Sequence, residues 1–215
     1  MARQLRAEQT RTAIITAAAD LFDRRGYEST SLSDIVEHAQ VTKGALYFHF
    51  AAKQDLAHVI LELQSRNLQR LAAEMGSRGT TALEALIRTT FAMARLFVEG
   101  PVPRAGLRLA TDGLALPPAV PHPFTQCLEF TTRTLHAAVK ETDLHTDIDV
   151  EAAAHSLVSS LVGTRVVGHH LEPVTRHPRR LAEMWHLLIR GMVTVPRRAR
   201  YLSLVTQLER EIRTV

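Results

Sequence analysis

Apolar residues recur along this chain with the spacing of helices, and no stretch alternates in the two-residue rhythm of a half-buried strand. Ile14, Ala17, Ala18, Leu21 and Phe22 form a first stripe, which Gly26 stops. Ser31 then stands as an N-cap with Asp34 three residues on, opening a short helix whose buried face is Ile35 and Val36. After Ala39-Gln40-Val41 comes the segment TKGALYFHF. A longer helix starts near Lys53, carries Leu56, Val59, Ile60 and Leu63, and ends before Gly76. Beyond it the pattern predicts a helix over roughly 81–98, with Leu83, Leu86, Ile87, Phe91 and Ala94 inward. Pro101 and Pro103 break that helix, and RAGLRLAT forms a short one behind them. The stretch from Gly113 to Pro123 holds four of the nine prolines and reads as a loop or ordered connector. Further helices are expected over about 124–141, 149–168, 178–194 and 199–212, with Pro178 suited to a first helical turn.

The predicted architecture is therefore all-α, with short helices in front and longer ones behind. The boundary falls at the helix beginning near Lys53 rather than in a flexible linker, dividing the chain into residues 1–52 and 53–215. No internal repeat, heptad run or low-complexity segment interrupts this pattern.

Composition narrows the function classes only modestly. In 215 residues, 26 basic side chains against 22 acidic ones give a net charge of +4 and a pI near 9.7. That permits nucleic-acid binding without requiring it. No apolar run approaches the ~20 residues of a membrane span, and the polar opening MARQLRAEQTR lacks the apolar core of a secretory signal. One cysteine, Cys127, allows no internal disulfide and fits a reducing compartment, so a cytoplasmic location is expected.

The candidate chemistry lies in VTKGALYFHFAAKQDL. Two short helices joined by a tight turn form a helix-turn-helix pattern, with Leu32, Ile35, Val36 and Val41 packing against Ala45 and Leu46. The second helix would aim Thr42, Lys43 and Gly44 at a groove. Thr42 could cap the helix or bond a phosphate, Lys43 could donate to phosphate or guanine, and Gly44 lets the backbone come close. Tyr47 offers a ring for packing and a hydroxyl for phosphate. Ser33, His49 and Lys53 complete the candidate DNA contacts, His49 serving equally well as a bridge to the next helix. Phe48 and Phe50 are expected in the core. A helix pair of this kind would look the same in any bundle, so the pattern alone leaves the question open.

The stretch TSLSDIVEHAQVTKGALYFHFAAKQDL resembles the DNA-binding region of TetR-family transcriptional regulators, through Lys43-Gly44-Ala45-Leu46-Tyr47, His49-Phe50 and Lys53. The resemblance implies a three-helix DNA-binding domain followed by a larger helical domain for ligand binding and dimerisation. It also implies a homodimer on palindromic operator DNA, with half-sites about 34–36 Å apart. DVEAAAHSLVSSLVGTRVVG and PRRLAEMWHLLIRGMV are the expected dimer-forming pair. One departure is Ala52, where family members often place a serine N-cap, a loss of ~1 kcal/mol at that helix start.

A sensor domain needs an apolar cavity, for which Phe91, Leu109, Phe124, Cys127, Val158, Val162 and Trp185 are the candidate lining residues. Trp185 beside Leu181 and Leu188 would serve equally as core filler. Further stretches resemble a narrower group, the γ-butyrolactone autoregulator receptors of filamentous antibiotic-producing bacteria: RAEQTRTAIITAAADLFDRRGYESTSLSDIV, GPVPRAGLRLATDG, PHPF, LVGTRVVG and PRRLAEMWHLLIRGM. That resemblance implies a repressor of secondary metabolism or development, released by a small hydrophobic lactone. In that group a tryptophan usually follows the Pro-His-Pro-Phe segment, and here Cys127 takes the corresponding place, which would leave room for a different or bulkier signal or make the protein a weak responder to butyrolactones. A repressor of an efflux or catabolic operon, sensing another hydrophobic molecule, is the alternative. No catalytic residue, cofactor or metal site is expected. Cys127 and His122 make a poor nucleophile and base, and the histidines of HHLEPVTRHPRR read as a polar loop.

Overall fold

The computed structural model describes residues 2–76, 79–113 and 122–213, and within them ten α-helices. These are α1 (Ala2–Arg25), α2 (Leu32–His38), α3 (Lys43–His49), α4 (Lys53–Gly76), α5 (Ala82–Glu99), α6 (Pro101–Thr111), α7 (Pro123–Lys140), α8 (Val150–Leu171), α9 (His177–Met192) and α10 (Val195–Arg213). A 3-10 turn, Val174–Arg176, precedes α9. The helices expected from apolar spacing are present with ends shifted by a few residues. Pro101 and Pro103 sit in the first turn of α6, where Pro101 needs no N–H, so they open a helix as well as ending the one before. Most of the proline-rich connector, residues 114–121, lies outside the described residues.

The chain forms two compact units. The first contains residues 1–66 and 99–122, the second residues 67–98 and 123–215. Helix α4 thus contributes residues to both.

In the first unit Ile14, Ala18, Phe22, Ile35, Leu46, Leu56 and Ile60 are wholly buried. Helix α1 begins well before its apolar stripe, and Gly26, at φ +87°, ends it in a conformation that suits glycine. Helix α2 opens on a full capping box: Ser31 Oγ accepts from the Asp34 amide at 3.1 Å, and Asp34 Oδ2 accepts from the Ser31 amide at 2.8 Å. It closes on a Schellman motif, with Gln40 N–H donating to Glu37 O and Val41 N–H to Val36 O. Gln40 holds the left-handed place there, at φ 54°. Ile35 is buried as expected, whereas Val36 is only half-buried.

In the second unit one core joins Leu83, Ile87 and Phe91 of α5, Leu135 of α7, Leu157 of α8, Leu181 and Trp185 of α9, and Tyr201 and Val205 of α10. Its polar centre is Asp143, buried in the turn after α7 and bonded by the Tyr201 hydroxyl, which also lies 2.7 Å from Thr81 Oγ1. Burial would raise the Glu84 carboxyl, but bonds from Arg88 and Arg200 more than offset it and hold the group below its usual range. Helix α10 is so tied to the start of α5 by two polar contacts.

Candidate nucleic-acid interface and ligand end

Helix α3 is fixed from within by two side chains four residues apart. Leu46 is wholly buried and Phe50 is 4% exposed, so the helix turns its other faces outward. Thr42 Oγ1 accepts the Ala45 amide at 3.1 Å, so of its two expected uses the structure shows the cap. Lys43, Gly44 and Tyr47 are exposed, as is Ser33 on α2. A Cβ built on Gly44 would meet only Thr42 Oγ1, at 4.0 Å, so nothing inside the protein requires a glycine there. The space beside it is open.

Phe48 corrects the expectation that both phenylalanines pack inward: it is 78% exposed. Two helical positions from Leu46 is about 200° around the axis, so Phe48 points away from the face that Leu46 and Phe50 bury. Its ring stands edge-on to His49 at 5.0 Å, His49 lies 6.3 Å from Phe50, and Arg11 caps Phe50 at 5.4 Å. His49, half-buried, thus bridges the outer ring to the inner one.

Lys53 is half-buried against the connection after α1. Its Nζ donates to Tyr27 O at 2.8 Å and lies 4.1 Å from the Tyr27 ring centroid. Two of its three N–H groups are left over from that carbonyl bond for an outside acceptor. The missing serine at Ala52 is made good from the other side of the cap. Asp55 Oδ2 accepts from both Ala51 N–H, at 3.0 Å, and Ala52 N–H, at 2.9 Å. An acid three residues into a helix is a readable signal, and it supplies half a capping box without the N-cap oxygen.

Sequence reasoning missed how α6 holds α1. Arg104 Nε donates to Asp23 Oδ2 at 2.6 Å, and Arg108 Nη1 donates to Asp23 O at 2.5 Å, where the last turn of α1 has no further helical donor. A Cβ on Gly106 would lie 2.7 Å from Gln64 Cβ and 3.5 Å from Ile60 O, so glycine permits α6 to press against α4 within the first unit. The two arginines are four apart in sequence, but nothing in the chain marks Asp23 as their partner.

The candidate ligand residues divide between the units. Leu109, in α6, is buried in the first. Phe91 and Trp185 share the core of the second, where Trp185 is 2% exposed and its Nε1 donates to Thr90 Oγ1 at 2.9 Å. Val158 and Val162 lie one turn apart on α8, buried and half-buried, while Phe124 and Cys127 are half-buried on α7, which packs against α8. Burial pushes the Cys127 thiol up to about 11, so at neutral pH it is not the thiolate a nucleophile must be. The side chains of His169 and His170 lie outside the described residues. No described helix is long and apolar enough to cross a membrane.

Residues 14–60 match the family model for bacterial regulatory proteins of the tetR family, and residues 80–194 match the tetracyclin repressor-like C-terminal domain. The A-factor receptor protein of Streptomyces griseus is 34% identical over 189 residues, covering 87% of this chain and 66% of that protein's own length. A crystal structure of a γ-butyrolactone receptor, described as ArpA-like, is 64% identical, covers 96% of this chain and 99% of its own, and superposes with a TM-score of 0.88. CprB of Streptomyces coelicolor, solved in complex with its operator sequence, is 66% identical over the same shares of the two chains, with a TM-score of 0.87. The two family models lie in the order in which the helix-turn-helix and the larger helical part occur here, and the chain belongs to the TetR family of transcriptional regulators.

Proposed function

We propose that this protein is a ligand-responsive repressor that binds palindromic operator DNA as a homodimer and leaves it when a small hydrophobic signal of γ-butyrolactone type binds. The observation that carries the reading is the outward edge of α3. Lys43, Gly44 and Tyr47 lie exposed on a helix whose packing is already met by Leu46 and Phe50. A lysine and a close-approach glycine on a braced helix suit a major groove. Ser33, His49 and the spare donors of Lys53 would add backbone contacts around it, and Thr42 would contribute chiefly by holding the helix start.

Residues 1–52 are assigned to DNA reading and 53–215 to ligand binding and dimerisation. Val166, Val167 and Leu171 on α8 and Leu187 on α9 leave large apolar side chains in the open, which supports a dimer through these two helices. For the ligand, the likeness to proteins described as γ-butyrolactone receptors supports a lactone, held in the second unit near Phe91, Phe124, Cys127, Val158, Val162 and Trp185. Cys127 in the place of a ring favours a bulkier member of that class. No catalytic step, cofactor or metal belongs to this reading, and its site of action is the cytoplasm, where operator DNA is found.

The test is a footprint on the promoter region beside the protein's own gene, with and without butyrolactones or organic extract of the producing culture. Protection of a two-fold symmetric site that either addition abolishes is the expected result. Protection indifferent to both would reject the lactone and favour a receptor-like regulator that has lost its lactone response. No protection would reject operator binding there.

A further inference from the structure

The exposed ring of Phe48 has no part in the burial that fixes α3 or in the contacts proposed for Lys43, Gly44 and Tyr47. Single exposed apolar residues are ordinary on protein surfaces, but this one is placed and braced. It is four residues on from Gly44, so the two share one edge of α3, while Lys43 and Tyr47 share the next. The first edge offers open backbone and then a flat apolar ring; the second offers a cation and a phenol. Behind the ring, the edge-on contact with His49 and the sequence His49, Phe50, Arg11 restrict its movement without covering it. At 78% exposure, Phe48 contributes little to the core that Leu46 and Phe50 complete.

We propose that Phe48 is a specificity-determining residue, reading the C5-methyl group of a thymine in the major groove. The inference rests on the DNA-reading function proposed above. The methyl is the one apolar group that base pairs present in that groove, and a phenylalanine ring is among the side chains suited to it. Gly44, with nothing to hinder its approach, lets this edge of the helix come close enough for the ring to touch it. Lys43 and Tyr47 supply attraction to phosphate or guanine, while Phe48 adds a preference that depends on sequence and not on salt.

The test uses the full-length protein and a duplex selected by it from random-sequence DNA. Each thymidine of one half-site is replaced in turn by deoxyuridine, which removes only the methyl, and affinity is measured by fluorescence anisotropy at fixed salt. One or two positions should bind the wild type about fourfold more weakly per methyl lost, the equivalent of ~0.8 kcal/mol for one buried carbon. In Phe48→Ala that penalty should vanish at those positions, with the salt dependence of binding unchanged. Circular dichroism and a melting curve establish that the variant is folded, and Phe48→Leu should retain part of the discrimination. A selected site with no methyl-sensitive position, or a penalty that survives in Phe48→Ala, overturns the inference and leaves DNA reading intact. Failure to select any duplex overturns the proposed function itself.

Discussion

His177 shows how one buried side chain sets a pH dependence. It packs 5.6 Å from the Phe97 ring, its Nδ1 is buried without a hydrogen-bond partner, and burial together with the Arg165 charge lowers its pKa from 6.5 to about 4. The unfolded chain therefore takes up a proton below about pH 6.5 that the folded chain refuses until about pH 4. The stabilisation is fully present above the first value and is lost as pH falls through the second, an effect of up to about 3 kcal/mol. Urea unfolding at several pH values between these limits should show a loss of stability on acidification that is visibly smaller in His177→Leu. The sequence gives no hint of this, because a histidine in a polar segment shows nothing of the helices that close over it. Phe48 was illegible for the opposite reason. Its type suggests burial, and only the angle it makes with Leu46 and Phe50 places it outside.

At the scale of elements, most helices could be read from apolar spacing, and the capping box of α2 from Ser31 and Asp34. The turns were harder because glycine is missing where the geometry favours it. Helices α2 and α7 both end in Schellman motifs, with Gln40 at φ 54° and Thr142 at φ 61° in the left-handed position. A β-branched side chain is especially strained there. Thr142→Gly should stabilise the protein by about 1 kcal/mol, and Gln40→Gly by less, as measured by chemical unfolding. The Thr142 peptide already accepts a bond from Thr194 Oγ1 through its carbonyl, which glycine retains, so the gain is not offset by a lost contact. The start of α4 teaches a related lesson: Ala52 looks like a defect until Asp55 is seen to satisfy two amides.

At the scale of the whole molecule, the first compact unit is discontinuous in sequence. It draws α1, α2, α3 and part of α4 from the start of the chain and α6 from beyond residue 98. Apolar spacing marked the helices of this region but neither the early start of α1 nor the opening of α6 at Pro101, and it could not join Asp23 to Arg104 and Arg108, since no local pattern encodes a partner so far along the chain. A fragment ending at Arg66 lacks both arginines and the buried Ala105 and Leu109. Its thermal melt by circular dichroism should be broad and centred well below that of the full chain. A sharp melt at the full-chain temperature would show that α6 adds nothing to this unit.

The grip of α6 on α1 also bears on the order in which the protein is made. Residues 26–100 intervene between the two helices, so α1 leaves the ribosome long before the arginines that hold its end have been added. Until then Arg104 and Arg108 are not there to hold the end of α1, and the apolar face that α6 covers is bare. A nascent or prematurely ended chain therefore carries the whole of α3 but lacks its finished support.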